Sequence, residues 1–112
     1  MSKVAIKIDK TKVENANENG GFIGRKTNYS TFSAKSVNHI EWVNDKGVKQ
    51  EGYIITATCK ESATGKDKNL SLGATLDQFV SMLRSAKIVD ADISSGNYDL
   101  STPRKVVKGL FV

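Results

Sequence analysis

Residues 36–60 read SVNHIEWVNDKGVKQEGYIITATCK, and this stretch decides the fold class. Its second half, residues 52–60, is dense in β-branched and aromatic residues, which favour a strand. The odd-numbered residues from Tyr53 to Cys59 are expected on one face of that strand and the even-numbered residues on the other. Residues 44–47 (NDKG) predict a tight turn, because Asn and Asp tolerate turn geometry and Gly47 can take a positive φ. The stretch therefore predicts an antiparallel hairpin, and it leaves open which face is buried because both are fairly apolar.

A helix is predicted over about 75–87. Thr75 is a candidate N-cap with Gln78 three residues later, as in a capping box. The apolar residues that follow recur at helical spacing on one side: Leu76, Phe79, Val80 and Leu83. Alternating or β-branched residues predict further strands at residues 3–8, near 70–72, at 88–93 and at 104–112. The expected fold is α+β, an antiparallel sheet of about five or six strands with a single helix packed across it.

Length and composition indicate one domain spanning residues 1–112, since 112 residues are too few for two ordinary domains. The Asn-, Glu- and Gly-rich run after residue 8 predicts a mobile basic loop at about 9–35. The N-terminus lacks the apolar core of a secretory signal, and no segment approaches the length of a membrane span. The expected location is cytoplasmic or within a virion, without secretion by a signal peptide and without a membrane partner.

The formal net charge is +5, and the excess is unevenly distributed. Residues 1–40 hold seven cations against three acids, and residues 100–112 hold Arg104, Lys105 and Lys108 without an acid. A basic surface of this kind attracts polyanions such as nucleic acid. The alternative is that the charge only serves solubility.

Residues 20–32 (GGFIGRKTNYSTF) combine glycines, cations and aromatics. They do not form a phosphate-binding loop, because Arg25 separates the last glycine from Lys26 and no buried strand precedes them. They fit a nucleic-acid contact, in which Arg25 and Lys26 meet phosphates while Tyr29 and Phe32 stack on bases. The alternative is an ordinary mobile loop with one or two aromatics folded into the core.

Trp42 and Tyr53 stand on the two strands of the hairpin. If both faced an open sheet surface, with Lys35, Lys49 and Lys60 around them, they would form a surface for base stacking; the alternative is that Trp42 packs in the core. The C-terminal cations Arg104, Lys105 and Lys108 would extend the row of positive charges along which phosphates bind. The complete set of expected nucleic-acid-binding residues is Arg25, Lys26, Tyr29, Phe32, Lys35, Trp42, Lys49, Arg104, Lys105 and Lys108.

No catalytic group, cofactor, metal site or small-molecule substrate is expected. His39 and Cys59 lack the third, orienting group of a nucleophilic site, and one His with one Cys falls short of the four ligands of structural zinc. Asp90 and Asp92 share one side of a predicted strand, where they are expected to be solvated edge charges.

These patterns predict a non-catalytic, small basic protein that binds single-stranded DNA or RNA with little sequence preference. The alternative is a self-assembling structural subunit, such as a small viral coat or virion protein that packages nucleic acid. In that alternative the C-terminal strand, ending at residues 110–112, pairs with a neighbouring subunit, so that the chain is a homo-oligomer. A protein-binding inhibitor or adaptor is the third possibility.

Overall fold

The computed structural model describes residues 3–18, 29–107 and 109–112. In chain order the elements are α1 (Lys10–Asn15), β1 (Tyr29–Val43), β2 (Lys49–Glu61), β3 (Asp67–Thr75), α2 (Leu76–Ser85), α3 (Asp90–Ser95), β4 (Arg104–Val107) and β5 (Leu110–Phe111). The strands form a five-stranded sheet in the order β3-β2-β1-β4-β5, and each neighbouring pair is antiparallel. The predicted α+β class is therefore confirmed, with short helices in addition to the predicted one.

The predicted hairpin is confirmed as β1 and β2, which pair along nearly their whole length. Asn44 organises the turn between them, because its side-chain oxygen accepts hydrogen bonds from the backbone N–H groups of Lys46 and Val48 at 2.9 and 3.0 Å. Gly47 takes the positive φ, +76°, that the turn requires. Local turn chemistry thus fixes the register of the two longest strands.

The predicted helix is α2, and it carries the predicted capping box between Thr75 and Gln78. Its buried side includes Phe79, whose ring stacks on that of Tyr53 with centroids 4.5 Å apart. Tyr53, only 3% exposed, lies on the same face of β2 as the fully buried Ile55. The odd-numbered face of β2 is therefore the core face, which the sequence alone left undecided.

Residues 88–93 were predicted to be extended, and this is wrong, because α3 begins at Asp90. Two tertiary contacts explain the helix. Ile93 is fully buried, and the Arg84 guanidinium donates to both carboxylate oxygens of Asp90 at 2.9 and 3.1 Å. Arg84 also donates to the Val13 carbonyl in α1, so one side chain ties the three helices together.

The N-terminal expectations need two corrections. Residues 3–8 do not form a strand; they run extended against the segment before β4, where the Leu100 N–H donates to the Val4 carbonyl at 2.9 Å. The range 9–35 contains α1 and the first part of β1, so it is not one continuous loop. Of that range, residues 19–28 lie outside the described residues.

The predicted C-terminal strand is present but divided. Gly109, with φ of +81°, lies between β4 and β5, which pair with each other. Phe111 of β5 is 6% exposed and meets the ring of Phe32 edge-on at 5.6 Å. Phe111 is therefore part of the core, whereas the last residue, Val112, is exposed.

The helices α1, α2 and α3 pack on the core side, and within residues 3–18, 29–107 and 109–112 no element covers the opposite side of the sheet. We call this opposite side the open face. The strand registers place on it Thr31, Ser33, Ser36, Asn38, Ile40 and Trp42 of β1, the even-numbered residues 50–60 of β2, the odd-numbered residues 67–75 of β3, and Lys105 and Val107 of β4. None of the helices among the described residues is long and apolar enough to cross a membrane.

Candidate nucleic-acid interface

Trp42 forms the aromatic end of the open face. Trp42 is 42% exposed and neighbouring Ile40 is 36% exposed, so Trp42 does not pack in the core, which was the alternative. A depression of about 220 Å³ lies beside the indole, and its lining also includes Gly73, Thr75 and Gln78. An exposed indole next to the open space at Gly73 is an arrangement on which a base can stack.

Two of the residues that line the depression, Thr75 and Gln78, carry hydrogen-bond donors. The capping box directs the Gln78 side-chain oxygen to the Thr75 N–H and the Thr75 hydroxyl oxygen to the Gln78 N–H. The Gln78 side-chain NH₂ and the Thr75 hydroxyl proton have no partner among the described residues. Both groups are held in place by the helix cap and remain available to an acceptor such as a base carbonyl.

Lys35 reaches across the open face because of a bulge in β1. The β1–β2 register shifts between Ala34 and Ser36, which leaves Lys35 as the extra residue. Its Nζ donates to Asn69 Oδ1 on β3 at 3.1 Å, and the same oxygen accepts from Thr58 Oγ1 at 2.8 Å. The predicted site residue Lys35 therefore lies over the middle of the face, on two polar side chains.

A second group of cations lies at the end of the face remote from Trp42. Lys60 of β2 and Lys105 of β4 both stand opposite Thr31, one on each side of β1, and both are exposed. With Lys35, the described part of the open face holds three lysines against one acid, Asp67. Thr31 and Trp42 are eleven residues apart on β1, or about 35 Å at ~3.3 Å per residue. The face is thus an elongated surface with an aromatic end, a polar middle and a basic end.

Two expected contact residues belong instead to the core side. Phe32 is 0% exposed, so it cannot stack on a base. Arg104 stands opposite Phe32, where its guanidinium lies 5.8 Å from the centre of the Phe111 ring and donates to the Ala86 carbonyl. Their roles are packing and anchoring, because the β1–β4 register turns both of them inward.

Lys49 and Tyr53 are also on the side of the sheet opposite to Trp42. Tyr53 is buried under α2, so the condition that Trp42 and Tyr53 both face an open sheet surface is not met. Lys49 forms an ion pair with Glu41 at 2.9 Å, and this contact lowers the pKa of the Glu41 carboxyl. Lys49 is therefore neither on the open face nor an unpaired cation.

An acidic cluster adjoins Lys49 on the same side. Ligand atoms of His39, Glu41 and Glu51 lie within 4.8 Å of one another, as metal ligands would. Lys12 of α1 donates to Glu51 at 2.9 Å, and this hydrogen bond lowers the pKa of the Glu51 carboxyl. With a lysine already on each carboxylate, the cluster is an ion-pair network that a metal ion would have to displace.

Tyr29 is half-buried at the start of β1 and packs in part against the core, so only part of its ring is available to a ligand. The expected contacts Arg25, Lys26 and Lys108 lie outside the described residues. The structure thus brings together three of the expected residues, Trp42, Lys35 and Lys105, on one surface.

The structure separates His39 from Cys59. His39 stands opposite Tyr53, whereas Cys59 lies six residues farther along β2, opposite Phe32. Burial raises the pKa of the Cys59 thiol to about 11, the reverse of what an activated thiol needs. Nothing in this arrangement pairs the two side chains.

The structure places Gly73, Thr75 and Gln78 beside Trp42. Thr75 and Gln78 were expected only as the cap of the helix, and Gly73 was not expected to have a role. Gly73 directly follows the strand predicted near 70–72 and lies within β3 in the structure. A glycine within a strand can mark a close approach of a ligand or another backbone, and this was the available signal. Comparison with known proteins finds no matching family model and no matching curated protein or solved structure.

Proposed function

We propose that the protein binds single-stranded nucleic acid across the open face, with little sequence preference. The observation that carries the proposal is that Trp42 and the lysines at positions 35, 60 and 105 share the side of the sheet that no described element covers. Such proteins combine exposed aromatics, on which bases stack, with cations that follow the backbone. The path of about 35 Å suits a segment within the ~4–16 nucleotides that one OB fold, a common single-strand-binding domain, covers.

Each part of the face has a distinct role in this proposal. A base stacks against Trp42 over Gly73, with its carbonyl oxygens towards the donors of Thr75 and Gln78. The hydroxyl and amide side chains of the middle rows hydrogen-bond sugar and phosphate oxygens. The lysines neutralise phosphates, which makes the affinity depend on salt.

The first experiment uses Trp42 as its own reporter, because it is the only tryptophan in the chain. Labelled DNA and RNA single strands are titrated, and both their anisotropy and the tryptophan emission are followed. Binding is expected to quench Trp42, and Trp42→Ala is expected to weaken binding about 5- to 150-fold, the equivalent of ~1–3 kcal/mol for one stacked base. Trp42→Phe, which keeps an aromatic face, should retain most of the affinity.

A second set of variants tests the cations with two triple variants of equal net charge. Replacing Lys35, Lys60 and Lys105 by Ala should flatten the slope of log affinity against log salt by about 2, at ~0.7 per phosphate contact. The matched control replaces three exposed lysines away from the open face by Ala: Lys7, Lys10 and Lys49. Equal losses in both triple variants, or no quenching of Trp42, would overturn the proposal.

A further inference from the structure

We infer that β3 is the contact strand of a twofold homodimer, in which β3 of one chain pairs antiparallel with β3 of a second copy. The sheet has two edges, and they differ greatly in length. β5 has two residues, whereas β3 has nine, from Asp67 to Thr75. One side of β3 bonds to β2, and among the described residues no strand pairs with its other side. A long unpaired edge is a template for another strand.

Residues 69–75, which make up most of β3, lack the features that usually protect an edge strand. β3 pairs with β2 in an unbroken register, without a bulge. The single proline of the chain, Pro103, lies elsewhere, and residues 69–75 (NLSLGAT) carry no charge. Natural edge strands avoid association by bulges, prolines or charged side chains. This strand therefore leaves its outer hydrogen-bonding groups open to a partner strand.

The sequence of β3 is compatible with pairing to itself. A twofold axis at Ser71 places Leu70 of one copy opposite Leu72 of the other, on the core side of the sheet. Both leucines are only half-buried in the single chain, so the dimer would cover apolar surface. The same axis sets Lys68 opposite Ala74 and Asp67 opposite Thr75, so that no like charges face each other. This complementarity favours a second copy over a different protein as the occupant.

The dimer has a consequence for the open face. Antiparallel pairing of the two β3 strands joins two five-stranded sheets into one and sets the two open faces side by side. The dimer itself does not depend on whether that face binds nucleic acid. This contact also differs from the expected one through residues 110–112, because β5 is short and Phe111 is buried.

The test measures mass in the absence of nucleic acid. Sedimentation equilibrium over about 1–500 µM should give twice the 12.2 kDa of one chain at the upper end. In Ser71→Lys the new lysines of the two chains would face each other across the twofold axis and repel, so the variant should stay monomeric. Ala63→Lys, with the same charge in the exposed β2–β3 turn, should dimerise like the parent chain.

Disulfide trapping provides an independent readout. Cα atoms directly opposite in an antiparallel pair are ~4.5–5.5 Å apart, which a disulfide can span. Ser71→Cys should therefore form a covalent dimer under mild oxidation, whereas Ala63→Cys should not, and native Cys59 is buried. A monomer at every concentration, or a dimer that persists in Ser71→Lys, would overturn the inference. Titrating nucleic acid into Ser71→Lys then tests the open face separately, since the added lysine does not oppose phosphate binding.

Discussion

The indole of Trp42 lies directly above Gly52: two of its ring carbons are 3.3 Å from the point where a β-carbon on Gly52 would stand. The carbonyl oxygen of Ala74 on β3 is only 2.6 Å from the same point. Gly52 therefore allows both the close approach of β3 and the inclination of the indole over β2. The lack of a side chain at Gly52 therefore allows Trp42 to take its position in the candidate interface.

The first prediction is that Gly52→Ala destabilises the fold and displaces Trp42. The added methyl group meets backbone on one side and the indole on the other, so we expect a loss of about 1–3 kcal/mol, as for overpacking. Urea unfolding followed by circular dichroism measures it, and a shift of the Trp42 emission maximum reports the displacement. Gly73→Ala is the matched control, because its β-carbon would meet only Ile54 Cδ1 at 3.9 Å. Equal stability of the two variants would contradict this account.

The second prediction separates the stacking site from the fold. Gly73→Val should fill the depression beside Trp42 without strain, since the space above Gly73 is open. We expect stability to be kept or slightly raised, because valine favours strands. Affinity for single strands should fall, by at most the ~1–3 kcal/mol of one stacked base. Anisotropy titration checks this, and undiminished affinity would show that no base occupies the depression.

How much of the fold could be predicted from the sequence depends on whether the residues that determine each element lie close together in the chain. The hairpin around Asn44 and Gly47 and the helix after Thr75 rest on turn and capping residues within a few positions, and both predictions are confirmed. The helix α3 was missed because its β-branched surroundings favour a strand, while its stability comes from the distant Arg84.

The site was only partly predictable for a related reason. Residues 32 and 34 face the core, whereas beyond the bulge the odd-numbered Val37 and His39 do. A bulge reverses which side chains of a strand point towards the core. The alternation of apolar and polar residues in the sequence does not show where the bulge lies. Trp42 and Lys35 were therefore identified by residue type, but Lys49 was assigned to the wrong face.

The third prediction concerns the anchoring of the N-terminal segment by Tyr98. Its hydroxyl donates to the Ile6 carbonyl at 2.8 Å and accepts from the Ile6 N–H at 3.0 Å. Tyr98→Phe leaves both backbone groups without this partner, so we expect a loss of about 1–3 kcal/mol in urea unfolding. The control is Tyr53→Phe, since the Tyr53 hydroxyl has no hydrogen bond to any described residue. A larger loss at Tyr53 than at Tyr98 would be inconsistent with the anchoring role.

The fourth prediction is that the contribution of Asp99 to stability disappears in acid. The Asp99 carboxylate accepts hydrogen bonds from the Val4 N–H, the Ser101 N–H and the Ser101 hydroxyl. These bonds, the one from Val4 foremost, lower the pKa of the Asp99 carboxyl from its ordinary value of 3.8. A carboxyl with a lower pKa in the folded state stabilises the fold at pH values above its unfolded pKa. That stabilisation is lost as the pH falls through the folded pKa.

Asp99→Asn should therefore lower the urea midpoint at pH 7. The difference from the parent chain should begin to shrink as the pH falls below about 4 and should vanish once the pH is below the lowered folded pKa, where both chains carry a neutral side chain. Asp45→Asn is the control of equal charge change, because Asp45 is exposed in the hairpin turn and has no hydrogen bond or ion pair among the described residues. It should leave the midpoint nearly unchanged at both pH values. A difference between Asp99→Asn and the parent that stays constant from pH 7 into acid would mean that the side chain acts through its shape, and that its charge does not contribute.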